Sequence, residues 1–205
     1  MSQARAKKIK LLLFDVDGVL TDGKLFFLPT PSGAQQSTQA RAAKHADHPG
    51  YAIASTSMLE AKGFHAHDGT AISLARLGGL QTGLITKRIS ETVAVRARDL
   101  HLDHVHQGIK DKLGTFHEIL KQAGLQANEA AFVGDDIIDL PVMRACGLAV
   151  AVPNAREEVK KEANFITKKA GGEGALRDAV EFILRSQGKL EKVIEAYIAS
   201  RRTDL

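Results

Sequence analysis

Short apolar runs recur along the chain, separated by stretches whose apolar residues return every three or four positions. The run "IKLLLF" (9–14) lacks polar alternation, which predicts a strand buried on both faces. "GLIT" (83–86), "HVHQ" (104–107), "AAFVG" (130–134), "LAVAV" (148–152) and "NFIT" (164–167) predict further strands. Between them, residues 111–123 put Leu113, Phe116, Ile119, Leu120 and Ala123 on one helical face, and Gly124 supplies a stop. Ser90 is a candidate N-cap for a helix over 90–101, with Glu91 suited to the dipole of its first turn. Pro141 fits the first turn of a short helix over 139–146, and 174–187 and 189–201 also carry helical spacing. Strands alternating with helices predict an α/β fold with a parallel sheet covered by helices on both faces.

In such sheets ligands gather at the carboxyl ends of the strands, so polar residues there carry information. Asp15 and Asp17 follow the first strand, Thr86 ends another, and Asp135 and Asp136 follow "AAFVG". Alone, "DVDG" reads equally well as a surface turn. The combination with the isolated Lys112 suits phosphoryl transfer. That reaction needs a nucleophilic carboxylate, a divalent cation to offset its repulsion from phosphate, and a second carboxylic acid to move the proton. Hydroxyl and cationic donors must hold the equatorial oxygens.

One segment breaks the rhythm. Residues 29–57 are rich in Gln, Ser, Thr, Ala and Pro, which predicts a flexible insertion at the tip of a hairpin with arms near 24–28 and 58–64. The whole hairpin spans about 24–64. At 205 residues, 44% hydrophobic and 25% charged, the chain predicts one soluble globular domain over 1–205. Only four consecutive apolar residues follow the basic N-terminus, too few for a secretory signal or a membrane span, so a cytoplasmic location is expected. The formal net charge is +4, but aromatics make up 5% and Trp is absent, which disfavours a nucleic-acid platform and fits a small anionic substrate. The single Cys146, in "VMRACGLAV", reads as a buried hydrophobe. His45 and His48 read as solvated loop residues, and His104 and His106 as packing or edge positions.

"FDVDGVLTDG", "LITKR", "HQGIKDKL" and "FVGDDIIDLPVM" together resemble the four motifs of the haloacid dehalogenase (HAD) superfamily of phosphohydrolases. "SETVAVRARDLHLDHVHQGIKDKL" and "GGEGALRDAVEFIL" are similar to patterns of its cap-less subgroup, the 3-deoxy-D-manno-octulosonate 8-phosphate phosphatases. The resemblance covers about 9–28 and 58–190. It implies a Rossmann-like HAD fold with a β-hairpin flap, no large cap domain and a requirement for Mg²⁺. It also implies hydrolysis of a sugar-acid phosphate for lipopolysaccharide synthesis through an aspartyl-phosphate intermediate. A phosphatase of a nine-carbon sialic-acid-type phosphate, or of another sugar phosphate, is the alternative.

Carried over by position, the resemblance implies Asp15 as nucleophile and Asp17 as general acid and base. Asp15, Asp17 (through its carbonyl) and Asp135 would hold the metal. Thr86 and Lys112 would grip the phosphoryl group, and Asp136 and Asp139 would either support the metal shell or act structurally. His65, Ala66, His67, Asp68 and Gly69, with Arg88 and Arg96, match substrate-lining positions. The subgroup commonly has Arg where His67 stands, a basic residue at Ser73 and Gly at Lys87. Cap-less members close their sites with other subunits, so a homotetramer associating through the hairpins is implied. A signalling receiver domain also combines acids, Thr and Lys, but takes phosphate on an Asp ending a middle strand, where this chain has "GLIT". A non-catalytic scaffold on the same fold would have no need to keep every reactive residue type.

Overall fold

The computed structural model describes residues 2–29, 51–52 and 58–200. The first half contains Ser2–Ala6 (α1), Leu11–Phe14 (β1), Phe26–Pro29 (β2), Tyr51–Ala52 (β3), Met58–Ala61 (β4) and Ala66–Leu77 (α2). Gln81–Ile85 (β5), Arg88–Ile89 (β6), Glu91–Asp99 (α3), His104–His106 (β7) and Lys112–Ala123 (α4) follow. The remainder is Ala130–Gly134 (β8), Leu140–Ala145 (α5), Leu148–Ala151 (β9), Glu157–Glu162 (α6), Phe165–Ile166 (β10), Ala175–Ser186 (α7) and Leu190–Ser200 (α8).

The buried apolar runs form one six-stranded sheet in the order β10-β9-β8-β1-β5-β7, with every pairing parallel. Leu11 opposes Gln81 on one side and Ala130 on the other, which places β1 at the centre. Residues 11–14, 130–134 and 148–151 are buried throughout, as expected for strands covered on both faces. Helix α2 packs against α7 and α8, while α5 packs against α4 and α6, giving two helical layers around the sheet. The rings of Phe165 and Phe182 stack at 4.1 Å and tie the edge strand β10 to α7.

From β1 the chain adds β5 and β7 on one side, then returns to add β8, β9 and β10 on the other. The order therefore reverses between β1 and β8, and a crevice is expected beyond their carboxyl ends. Asp15 N donates to Val133 O at 3.0 Å, so this crevice starts where the two strands part.

The helix ends obey the caps read from the sequence. Ser90 Oγ accepts from Val93 N, and Gly124 closes α4 in the left-handed conformation at φ 66°. Asp111, a cap not singled out beforehand, accepts from Gly114 N at 2.9 Å. All six expected sheet strands are present: β8 matches its expected bounds, β5 starts two residues earlier and ends one earlier, and the other four are slightly narrower. His104 and His106 lie on the edge strand β7, where His104 Nε2 contacts Gln81 Oε1 at 3.0 Å. Cys146 is buried, and burial pushes its thiol up to about 12.

The hairpin exists but pairs Phe26–Pro29 with Met58–Ala61, so its first arm begins two residues later than expected. Most of the insertion, including His45 and His48, lies outside the described residues. Tyr51–Ala52, within it, pairs in parallel with Arg88–Ile89, a contact that no local pattern announces. Helices α1 and α6 were also not foreseen. Each is one to two turns long and buries a single side chain, Ala6 or Val159, so neither shows a helical period.

Candidate active site

Two strand ends and the start of a helix deliver carboxylates and their counter-charge to the switch-point crevice. Asp15 caps β1, Asp135 follows β8, and Asp139 lies one short turn further on. One carboxylate oxygen from each of these three falls within 4.8 Å of the others. Lys112, the first residue of α4, sends its ammonium into this cluster. Its Nζ is 2.7 Å from Asp139 Oδ1 and 3.0 Å from Asp15 Oδ1, with all three side chains buried.

Burial pushes the Asp15 carboxyl up to about 6, against the pull of Lys112 and with help from the Asp139 charge. Burial also raises Asp135, to about 8, and the charges of Asp15, Asp139 and Asp136 add to the effect. For Lys112 burial works against the charged form, but Asp15 and Asp139 outweigh it and the ammonium is raised. Asp135 Oδ1 is buried without a hydrogen-bond partner among the described residues. Crowded carboxylates with raised proton affinity and an orphan oxygen suit a hard divalent cation with oxygen ligands. Asp139 Oδ2 accepts from Asp135 N at 3.0 Å and from Asp136 N at 3.3 Å, which fixes the loop carrying Asp135. Asp136 is exposed and bonds Ile137 N, at the rim of the cluster.

The turn after β1 is shaped to sit against Asp135. Thr21 N donates to Val16 O, closing a wide loop over Val16–Leu20. Gly18 stands at φ 94°, and a Cβ there would overlap the Asp135 carboxylate. Asn154 locks this turn: its Nδ2 donates to Gly18 O at 2.9 Å and its Oδ1 accepts from Gly171 N at 2.8 Å. The Gly171–Gly174 loop thus packs directly on the turn, and a Cβ at Gly171 would overlap Gly18 O. Asn154 itself was not foreseen.

Asp17 points away from the three-carboxylate cluster, towards the hairpin. Its Oδ1 pairs with Lys62 Nζ, and its Oδ2 faces Arg88 Nε at 3.5 Å. Lys62 also meets Glu60 Oε1 at 3.0 Å, and its side chain is fully buried. Neither Lys62 nor Glu60 was singled out from the sequence. Their i, i+2 spacing at the end of a short strand was the only available signal. Thr86 is buried just beyond β5, held by His106 O and Ile109 N through its backbone.

The residues matched to substrate positions divide. His65 caps α2 and accepts from His67 N at 3.2 Å, and the two rings meet edge to face at 4.7 Å beside Gly174. Ala66 and His67 are exposed at the same helix start. Arg96 lies 5.7 Å from the centre of the Phe64 ring, and Gly69 leaves room for its guanidinium. The buried Arg96 Nε has no hydrogen-bond partner among the described residues. Asp68 departs from the group. It is fully buried, and its Oδ1 accepts from Arg177 N at 3.1 Å in the first turn of α7. That geometry makes it a fastener between α2 and α7, and burial raises its carboxyl.

A central-strand acid pair, a lysine entering from a later helix and an acid loop at the next strand end define a Rossmann-like hydrolase of the HAD type. The chain belongs to the haloacid dehalogenase-like hydrolases, whose family profile matches residues 5–177. The 3-deoxy-D-manno-octulosonate 8-phosphate phosphatase of Escherichia coli K12 is 33% identical over 189 residues, covering 92% of this chain and 86% of that protein. The Moraxella catarrhalis enzyme of that name, solved with magnesium ion, phosphate ion and KDO, superposes with a TM-score of 0.78 at 31% identity. The alignment covers 95% of this chain and 97% of that one. The Yersinia pestis phosphatase structure gives a TM-score of 0.76 at 33% identity, covering 93% and 88% of the two chains. Among the described residues no helix is long and apolar enough to cross a membrane.

Proposed function

We propose that this protein is a Mg²⁺-dependent phosphomonoesterase that converts 3-deoxy-D-manno-octulosonate 8-phosphate to the free sugar acid and phosphate, within lipopolysaccharide synthesis. The observation that carries this reading is the buried Asp15–Lys112–Asp139 arrangement with Asp135 alongside, at the switch point of the sheet. It is supported by similarity to phosphatases of that name along most of the chain.

Asp15 and Asp135, with the Asp17 carbonyl, are the residues that would hold the cation. Bound there, Mg²⁺ offsets the repulsion between the nucleophile and the incoming phosphate. The Asp15 carboxylate attacks phosphorus and becomes an aspartyl phosphate as the P–O bond to the sugar breaks. Asp17 gives its proton to the departing sugar oxygen. It then takes a proton from a water molecule, whose oxygen attacks phosphorus and releases Asp15 and phosphate. Lys112 and the Thr86 hydroxyl hold the non-bridging oxygens. Asp139 keeps Lys112 and the Asp135 loop in place. Arg88 and Arg96 suit the sugar's carboxylate, for which guanidinium offers a planar two-point grip.

We further propose a cytoplasmic homotetramer assembled through the hairpin. Phe26, Phe27, Leu28, Met58 and Leu59 are each 41–52% exposed on it, an apolar surface that association would cover.

The test is phosphate release from a panel of eight- and nine-carbon sugar-acid phosphates, with Mg²⁺ and with chelator. The eight-carbon substrate is expected to lead in kcat/KM, and chelator to abolish turnover. Asp15→Asn is expected to lower kcat by about 10³-fold or more while the fold persists. Release from none of the panel by the wild-type protein overturns the reading.

A further inference from the structure

Asp17 is held by a cation that the reaction, as derived above, does not use. Glu60 and Lys62 are two residues apart at the end of β4, so both side chains leave the same face of the hairpin, towards the site. The Lys62 side chain is 0% exposed and its ammonium sits between Asp17 Oδ1 and Glu60 Oε1. A buried ammonium is costly unless well paired, and an apolar side chain would fill the same space without that cost. The pairing also treats the two oxygens of Asp17 differently. Oδ1 makes a close ion pair with Lys62. Oδ2 stands 3.5 Å from Arg88 Nε, and that guanidinium nitrogen makes no hydrogen bond among the described residues.

We propose that Lys62 is a positioning residue for Asp17: it anchors Oδ1 and so fixes the direction in which Oδ2, the oxygen beside Arg88, is presented for proton transfer. This rests on the phosphomonoesterase reading. Asp17 lies outside the Asp15–Asp135–Asp139 cluster and on the hairpin side, where a leaving group in line with Asp15 would depart. A carboxylate that must meet a leaving oxygen and later a water needs one oxygen held closely and the other held only loosely, as Oδ2 is by Arg88 at 3.5 Å. Lys62 supplies the fixed end from the hairpin, and Glu60 holds Lys62 from its other side. Thr92 Oγ1 donates to Glu60 O at 3.2 Å, which ties this strand end to α3. The hairpin thereby contributes to proton transfer as well as to enclosure.

The experiment compares kcat/KM for an alkyl substrate, the eight-carbon sugar-acid phosphate, with that for p-nitrophenyl phosphate. The alkyl oxygen leaves only with a proton, whereas p-nitrophenolate departs without one. Lys62→Met is expected to lower kcat/KM about 100-fold on the sugar phosphate and less than about threefold on the aryl ester. Lys62→Arg is expected to recover most of the loss. Glu60→Gln, a milder change, is expected to shift the same ratio in the same direction, and it stands in if Lys62→Met does not fold by circular dichroism. Equal losses on both substrates, or a raised KM with unchanged kcat, would overturn the proposal in favour of a structural or substrate-contact role. Wild-type protein inactive on both esters would instead remove the reading on which it rests.

Discussion

Lys112 approaches Asp139 more closely than it approaches Asp15: 2.7 Å against 3.0 Å, with all three side chains buried. Asp139 therefore works as the residue that aims the lysine, leaving the Asp15 carboxylate less tightly held. Removing the ammonium leaves two buried carboxylates facing each other. Lys112→Met is expected to destabilise the metal-free protein by about 3–5 kcal/mol and to lower kcat/KM at least about 100-fold. Chemical denaturation and steady-state kinetics check the two parts separately. A variant as stable and active as wild type would contradict the role assigned to the pair.

Asp139 Oδ2 takes the backbone N–H groups of Asp135 and Asp136 and so fixes the loop that carries a proposed metal ligand. Asp139→Asn keeps an acceptor for those groups but removes the charge that holds Lys112. Mg²⁺ affinity, measured by calorimetry, is expected to fall about 10- to 100-fold. The overall fold should persist, because the change is isosteric.

The raised carboxyls give metal removal a pH signature. Asp15 is raised to about 6 and Asp135 to about 8, both from 3.8. Since the folded values exceed the unfolded one, the metal-free fold binds more protons than the unfolded chain. The contribution of these two carboxyls to its stability is fully present below about pH 4 and is lost as pH rises through 6 and then 8. A divalent cation replaces those protons, so stabilisation by Mg²⁺ should grow from pH 5 to pH 8. At a free concentration about 100 times Kd the gain is about 2.7 kcal/mol, or about 5–10 °C in Tm. Thermal melts across this range with Mg²⁺ and with chelator test it. A shift independent of pH would contradict the assignment.

Asn154 joins the turn after β1 to the Gly171 loop through both ends of its amide. Asn154→Ala leaves Gly18 O and Gly171 N without these partners, at a cost of about 1–3 kcal/mol. A lower Tm is expected together with lower activity, because the same turn carries Asp17 and packs Gly18 against Asp135. Full activity in a clearly destabilised variant would separate the clamp from the site.

What could be read from the sequence follows from how local each signal is. The strand "LLLF" shows itself because a strand covered on both faces needs no polar alternation, and its position in a βαβ series directs attention to the acids that follow it. Lys112 stands out because it opens a helix with a clear apolar face. Asn154 lies 136 residues from its acceptor Gly18, and Lys62 lies 45 from Asp17, so their meaning exists only after folding. Asp68 shows the converse. Its position suggested a substrate contact, but its burial beneath the first turn of α7 depends on how two distant helices pack. The parallel pairing of Tyr51–Ala52 with Arg88–Ile89 is likewise non-local, and its two-residue length leaves no period to read.

The hairpin offers the last prediction. In its register Leu28 opposes Leu59 and Phe26 opposes Ala61, so these apolar residues share one face, while Phe27 opposite Glu60 and Pro29 opposite Met58 share the other. The Glu60 face carries the pairing with Lys62 and turns towards the site. The Phe26–Leu28–Leu59 face has no such polar partner, and all three residues are at least 41% exposed. Left in water, a two-stranded ribbon with this face is marginal by itself, and covering it with copies of the same hairpin removes both the apolar surface and the open edges. Phe26→Asp combined with Leu28→Asp is therefore expected to convert the proposed tetramer to smaller species in sedimentation-velocity runs. Because the Glu60 and Lys62 side chains lie on the opposite face, the dissociated protein should keep its Asp17 pairing. Its KM should rise more than its kcat falls if subunits enclose the substrate. Unchanged sedimentation would overturn assembly through this face.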